Sequence, residues 1–197
     1  ADGTFKPNDA ITEAQFAKML SQFFSLKDDK GDLIKYPSTS HWADGYYDSL
    51  AAYGTPLNAY FDNTLRNKSV KRGVVAQAIS YLIGDANSLS ESIDFMIAVG
   101  ITTGQNPQFE GTDLYQFFGS MNDLTRAQVA LFLYRMHNID LEGATSIAVK
   151  VHNNQEALSL VALANKGMST LDSSLRFGIL GSETPSKNET TDPVVNV

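Results

Sequence analysis

The residues best suited to chemistry in this sequence are two arginines, each placed at the start of a predicted helix. Arg126 follows Thr125 at the start of the apolar segment 124–137. Arg72 has the corresponding position at the start of the apolar segment 70–83. A cation in the first turn opposes the helix dipole, so this position brings little structural benefit. A guanidinium can instead hold a carboxylate through two parallel hydrogen bonds. The pattern indicates anion binding, with an ion pair from Arg126 to Asp123 or Glu156 as the structural alternative.

No catalytic motif accompanies these arginines. The sequence has no Gly-x-Ser-x-Gly elbow, His-Glu-x-x-His helix or phosphate loop, and its three histidines lack metal-ligand spacing. We therefore predict that the protein is not an enzyme and holds neither a metal nor a cofactor. The acidic loop at 28–32 lacks the late glutamate of an EF-hand, so a solvated turn is preferred there over a calcium site.

Composition narrows the classes of partner. The net charge of −7 argues against duplex nucleic acid, because phosphate binding requires a basic surface. The absence of cysteine excludes disulfides, thiolate metal sites and a thiol nucleophile. No apolar run approaches the roughly 18 residues of a membrane span, so we expect no membrane insertion. A chain of 197 residues is long enough for one domain with a substantial core.

Helical spacing of apolar residues recurs along the chain. Three windows, 11–24, 70–83 and 124–137, place apolar residues at i, i+3, i+4 and i+7. Two further helices alternate with them and end in glycine, at Gly54 and Gly100. The segments 55–69 and 101–123 are predicted loops, and Asn122 or Asp123 is the predicted cap of the last helix.

These windows align with one another as an internal repeat. Their superposition sets Glu13 against Arg72 and Arg126. Residues 155–167 match the glycine-ended type of helix. We therefore predict an all-α chain in which helix 155–167 closes a three-fold array by packing beside helix 11–24.

Several sequence blocks carry a family resemblance. They resemble the S-layer homology (SLH) domain, a tandem module of exported proteins in Gram-positive bacteria and some other lineages. The blocks are Asp2-Gly3-Thr4-Phe5-Lys6-Pro7-Asn8 before Ile11-Thr12-Glu13-Ala14-Gln15-Phe16, then His41-Trp42-Ala43 with Gly54, and Leu124-Thr125-Arg126-Ala127-Gln128. The repeats implied are 1–36, 37–86 and 87–139, followed by a C-terminal segment at 140–181 and a linker or tail at 182–197.

The resemblance implies a fold, a location and a ligand. The fold is a pseudo-three-fold spindle of helix pairs, and the location is extracellular, in the cell wall or S-layer. The module would anchor a larger protein by binding an acidic, often pyruvylated, secondary cell wall polysaccharide in the grooves between repeats, with backbone N–H groups at the helix start adding to the attraction. The ligand-binding residues implied are Arg126, Arg72, Trp42, Thr125, Gly54 and Gly100.

The sequence departs from the family pattern at several positions. Glu13 stands where the family has its cation, so the first groove is either inactive or uses Lys18 or Lys6. Gln15 and Gln128 replace the usual glutamate. For Trp42, the sequence leaves open a core anchor between repeats, a sugar platform, or both.

Three functions follow as hypotheses from the motifs and their departures. The first is a non-catalytic wall-anchoring module, as the resemblance implies. The second is a degenerate SLH-like module for protein–protein interaction or S-layer self-assembly, which would make self-association a further kind of partnership. A wall-processing hydrolase comes third.

Overall fold

The computed structural model describes residues 3–26, 40–53, 55–84 and 88–139. Within these ranges the regular structure is helical, with isolated bridges and no β-strand, which confirms the all-α prediction for this part of the chain. A short 3₁₀ turn at Pro107–Phe109 lies between α5 and α6. The helices are α1 (Glu13–Phe23), α2 (Asp44–Ala52), α3 (Asn63–Arg66), α4 (Arg72–Gly84), α5 (Leu89–Ala98), α6 (Leu114–Phe118) and α7 (Arg126–Asn138).

The three longest of these helices, α1, α4 and α7, form where the apolar spacing predicts them. Each begins and ends within about two residues of its predicted window, the usual uncertainty of a helix boundary. Their apolar stripes face one core, because burying such a stripe is what stabilises a helix of this length. The buried residues are Phe16 and Leu20 in α1, Val75, Ile79 and Leu82 in α4, and Val129, Phe132 and Met136 in α7.

The start of α7 is a capping box. The Thr125 hydroxyl accepts a hydrogen bond from the Gln128 N–H at 3.3 Å, and the Gln128 side chain accepts one from the Thr125 N–H at 2.9 Å. The predicted cap, Asn122 or Asp123, is therefore wrong. Because either glutamate or glutamine can close a capping box, the glutamine here keeps the structural part of the motif. The helix α1 begins with the same kind of box.

The glycine-ended helices are partly described. Ser88 caps α5 with its side chain, and Gly100 follows the helix end with a φ of +77°, a conformation that favours glycine. The Gly100 N–H donates to the Ile97 carbonyl at 3.0 Å, which uses one of the free carbonyls at the helix end. Gly54, the corresponding stop after α2, lies outside the described residues.

Two short helices occupy segments predicted to be loops. The helix α3 lies within 55–69 and α6 within 101–123, and each is capped by an aspartate, Asp62 or Asp113. With four and five residues, these helices are too short to repeat an apolar stripe, so spacing could not reveal them. The consequence is large for α6, because its Phe118 is fully buried in the core.

A closed ring of backbone hydrogen bonds joins the starts of α1, α4 and α7. The Ile11 N–H donates to the Leu124 carbonyl at 2.9 Å, and the Leu124 N–H donates to the Val70 carbonyl at 3.1 Å. The Val70 N–H completes the ring by donating to the Ile11 carbonyl at 2.9 Å. All three side chains are buried. The three helix starts therefore make equivalent backbone contacts, in agreement with the internal alignment of the sequence.

Beyond this ring, helices that are consecutive in the chain pack against each other. The helix α1 packs against α2, and α4 packs against α5. No helix in the described ranges is long and apolar enough to cross a membrane. The predictions for the acidic loop 28–32, the closing helix 155–167 and the tail 182–197 lie outside the described residues.

Candidate binding site

The aligned positions Glu13, Arg72 and Arg126 lie on one ring in the structure. Each is the first residue of its helix, and its N–H donates to a carbonyl in the segment that precedes another helix of the ring. These three hydrogen bonds are 2.9–3.0 Å long, and their acceptors are Lys68, Asn122 and Asp9 respectively. The fold thus presents three comparable positions, occupied by one carboxylate and two guanidiniums.

The backbone N–H groups at these helix starts are already used. In α7, the N–H of Ala127 donates to the Pro7 carbonyl at 3.0 Å, and in α4 the N–H of Gly73 donates to the Ser120 carbonyl at 2.9 Å. The contribution expected from free backbone donors is therefore absent at the first two residues of both helices. An anion at either position would depend on the arginine side chain.

Arg126 is the more accessible of the two arginines. It is partly exposed, and its guanidinium carbon lies 5.6 Å from the ring centroid of Phe5, a residue that is 52% exposed. Its Nε has no hydrogen-bond partner. The predicted ion pair with Asp123 is wrong, because the Asp123 carboxylate pairs with the Lys71 ammonium at 2.7 Å. Glu156, the other predicted partner, lies outside the described residues.

Arg72 occupies the same backbone position but is only 3% exposed. Its guanidinium carbon lies 4.6 Å from the ring centroid of Phe118 and 4.9 Å from that of Phe132, a cation–π arrangement on both sides. One amino group donates to the Thr102 hydroxyl. Burial, with a smaller contribution from the charge of Arg135, lowers the pKa of Arg72 to about 10, so it stays charged at neutral pH.

At the second position, two arginines contact the turn that follows α5. Arg72 reaches Thr102, and Arg135 donates to the carbonyl of Ile101 at 2.9 Å. Gly100 lies two residues before Thr102, so the structure brings Arg72 to the turn that follows the predicted residue Gly100. The burial of Arg72 favours a role in fixing this turn over direct contact with a polymer.

The first position is filled by an internal cluster. Glu13 is 5% exposed and accepts hydrogen bonds from the Ala59 N–H at 2.9 Å and the Tyr47 hydroxyl at 3.3 Å. Burial raises the pKa of Glu13 from 4.5 to about 7, against the opposing effects of these hydrogen bonds and of the Arg66 charge.

Arg66 is the cation of this cluster, and it is fully buried. Its Nε donates to the Ala59 carbonyl at 2.9 Å, another nitrogen donates to the Tyr60 carbonyl, and a third pairs with the Asp44 carboxylate. Its guanidinium carbon lies 4.2 Å from the Tyr47 ring centroid. The hydrogen-bonding groups of Arg66 are thus engaged inside the cluster. Arg66 is therefore not available to bind an external anion at the first position.

Trp42 lies apart from the ring. It is 56% exposed, so the interpretation as a core anchor is wrong, and the neighbouring Ala43 is buried in its place. Trp42 lines a cavity between α1 and α2, on the side of Ser21 and Gln22. Since α1 rises about 1.5 Å per residue, this cavity is about 13 Å along the helix from Glu13. The predicted ligand-binding residues therefore fall in more than one place.

Comparison of the chain with protein-family models, with curated proteins and with solved structures finds no match. Within the described ranges, no group of three or more histidine, aspartate and glutamate residues is arranged to hold a metal ion.

Sequence reasoning missed several residues that shape these positions. Phe5 stands in one of the motif blocks, but it is the backbone hydrogen bonds from Ala127 to Pro7 and from Arg126 to Asp9 that bring its turn onto α7. Arg66 lies in a segment predicted as a loop, without a signal for burial. Arg135 lies on the last turn of α7, where a cation is expected for the helix dipole alone.

Proposed function

We propose that this chain is a non-catalytic wall-anchoring module of the SLH type that binds an acidic secondary cell wall polysaccharide, such as a pyruvylated one. The observation that carries the proposal is the environment of Arg126. Arg126 is partly exposed, its guanidinium lies beside the exposed ring of Phe5, its buried Nε has no hydrogen-bond partner, and it has no ion pair among the residues that the structure describes. A carboxylate on a sugar would supply the missing charge, while the sugar ring could lie against the aromatic ring.

The ring of helix starts supports the finer description of the fold. A closed set of hydrogen bonds through Ile11, Val70 and Leu124 has the cyclic symmetry that a pseudo-three-fold SLH spindle requires. The three positions on this ring have equivalent backbones but differ in function, because their side chains meet different neighbours. In this proposal Arg126 is the principal contact, with Thr125 holding its helix start, and the Glu13 position is inactive. An extracellular location in the cell wall or S-layer belongs to the same proposal.

Replacement of Arg126 by alanine should weaken binding of the polysaccharide. The expected loss is about 1.5–3 kcal/mol, or roughly ten- to 150-fold in affinity, which is the scale of a hydrogen bond to a charged group. Isothermal titration calorimetry of the chain with purified, soluble wall polysaccharide measures this change. Arg126→Lys should recover only part of the affinity, because lysine keeps the charge but cannot form two parallel hydrogen bonds.

Two controls make this measurement specific. Lys68→Ala removes the same charge from an exposed position in the segment before α4, and it should leave the affinity within about twofold. Polysaccharide from which the pyruvate has been removed should bind wild type and Arg126→Ala about equally. Unchanged affinity of Arg126→Ala for the intact polymer, in a variant with an unaltered helical circular dichroism spectrum, would count against the proposal.

A protein-binding function is the second candidate, and one observation favours it. Leu131 and Tyr134 are 42% and 67% exposed, and their spacing of three residues puts them on one face of α7. Exposed apolar side chains that lie together are typical of protein interfaces. Analytical ultracentrifugation of Leu131→Glu against wild type tests self-association directly, since only an interface at this face would be disrupted.

A further inference from the structure

The open cavity beside Trp42 has a volume within the range of small-ligand sites. It has a volume of about 530 Å³ and lies between the C-terminal half of α1 and the N-terminal half of α2. Ligand pockets in proteins typically enclose about 300–1,000 Å³, so this cavity can accept one or two sugar rings. The lining residues are Ser21, Gln22, Ser25, Leu26, Trp42, Gly45, Tyr46 and Ser49.

One wall of the cavity is aromatic and exposed. The indole of Trp42 is 56% exposed and is bracketed by His41, at 5.4 Å between ring centroids, and Tyr46, at 6.4 Å. The ammonium of Lys18 lies 5.8 Å from the Tyr46 ring, outside the lining. Trp42 is the single tryptophan of the chain. Covering its large exposed ring is favourable, because this removes apolar surface from water. The C–H face of a pyranose is a suitable cover.

The other wall is polar but uncharged. Ser21 and Ser49 are both more than nine-tenths buried, and their hydroxyl oxygens are 2.7 Å apart. Because Ser49 donates to the Tyr46 carbonyl at 2.9 Å, Ser21 donates to Ser49, and acceptor lone pairs remain on both oxygens. Gln22 adds an amide with both donors and acceptors. This set of groups matches the hydroxyls of a sugar.

The charge of the lining distinguishes this cavity from the arginine positions. None of its eight lining residues is acidic or basic, whereas Arg72 and Arg126 are cations. A carboxylate bound against these eight residues would give up part of its hydration without meeting a counter-charge among them, which is costly. An uncharged ligand loses nothing of this kind.

We propose that the cavity lined by Trp42, Ser21 and Ser49 is a separate subsite for an uncharged pyranose ring of a glycan. It rests on the proposed function only in taking the glycan to be part of the wall polymer. The face of the sugar lies against the indole, and its hydroxyls bond to the serine oxygens and to Gln22. An acidic sugar would then be bound at Arg126 through its charge, and a neutral sugar at Trp42 through stacking and hydrogen bonds.

Gly45 allows a sharp test because it lines the cavity from the first turn of α2. A Cβ placed there meets nothing within 4 Å, so a larger side chain fills the cavity without displacing the core. Leucine also favours a helix more than glycine does. The variant Gly45→Leu should therefore keep its thermal stability and lose the sugar.

The experiment follows the fluorescence of Trp42 during titration with two probes, the uncharged tetra-N-acetylchitotetraose and depyruvylated wall polysaccharide. Wild type and Arg126→Ala should both show a saturable shift in emission with at least one probe, and Gly45→Leu should bind at least tenfold more weakly. Trp42→Ala, followed by calorimetry, should also lose binding, while Tyr115→Ala, which removes another exposed aromatic ring, should retain it.

Two outcomes would overturn the subsite. One is no saturable response of wild type to either probe. The other is equal affinity of wild type and Gly45→Leu. If neutral probes bind at Trp42 while Arg126→Ala leaves the affinity for the acidic polymer unchanged, the subsite stands and the proposed role of Arg126 fails, so the two failures are distinguishable.

Discussion

Replacing Arg66 by methionine is expected to lower the free energy of unfolding by about 3–5 kcal/mol, the usual cost of removing one partner from a buried charged network. The methionine fills much of the same volume but supplies no hydrogen bonds. The carbonyls of Ala59 and Tyr60 would lose their donors, and the Asp44 carboxylate would lose its ion pair. Glu13 would also lose the nearby positive charge that favours its ionised form.

Urea denaturation followed by circular dichroism measures this loss. The midpoint should fall while the slope with denaturant stays constant, because the surface exposed on unfolding is unchanged. Lys68→Met is the matched control, since it removes the same charge two residues away on the surface and should change the stability by less than about 0.5 kcal/mol. Similar stability of the Arg66 and Lys68 variants would show that the buried cluster contributes little.

Stability should fall as the pH rises from about 4.5 to about 7, and Glu13 should be the cause. Within this window the folded state holds a proton on Glu13, because burial raises its pKa from 4.5 to about 7, and the unfolded chain does not. Since the folded state binds more protons, stability decreases as the pH increases and then levels off above the folded pKa. The change in pKa corresponds to about 3 kcal/mol.

The two tyrosines beside Glu13 do not titrate between pH 4.5 and pH 7. Burial raises the pKa values of Tyr47 and Tyr60 well above 10, so both stay protonated throughout this window. Glu13→Gln keeps the shape and can still accept from the Ala59 N–H, so it should remove most of the pH dependence. Urea midpoints at pH 5 and pH 8 measure it, with the exposed Glu110→Gln as the control. Equal pH dependence in wild type and Glu13→Gln would contradict this assignment.

The sequence predicts the long helices well because their apolar stripes are regular. It also aligns Glu13, Arg72 and Arg126, and the structure places these residues in equivalent backbone positions. Backbone hydrogen bonds such as that from Ile11 to Leu124 leave no mark on side-chain patterns. The ring itself was therefore beyond what spacing could reveal.

The environments of the two arginines could not be predicted for a related reason. Arg72 is covered by Phe118, which belongs to a five-residue helix without an apolar repeat. Arg126 meets Phe5, and the N-terminal turn that carries this ring leaves Arg126 partly exposed. The same residue type is thus buried at the start of α4 and partly exposed at the start of α7, because short connecting segments decide what covers it.

The most direct test of the central claim is sedimentation of the chain with purified cell-wall sacculi before and after extraction of the secondary polysaccharide. The account predicts that the chain sediments with intact sacculi, that Arg126→Ala sediments much less, and that extraction abolishes binding for both. Binding that persists on extracted sacculi would contradict the claim, because the ligand would then be peptidoglycan or a wall protein and not the acidic polymer.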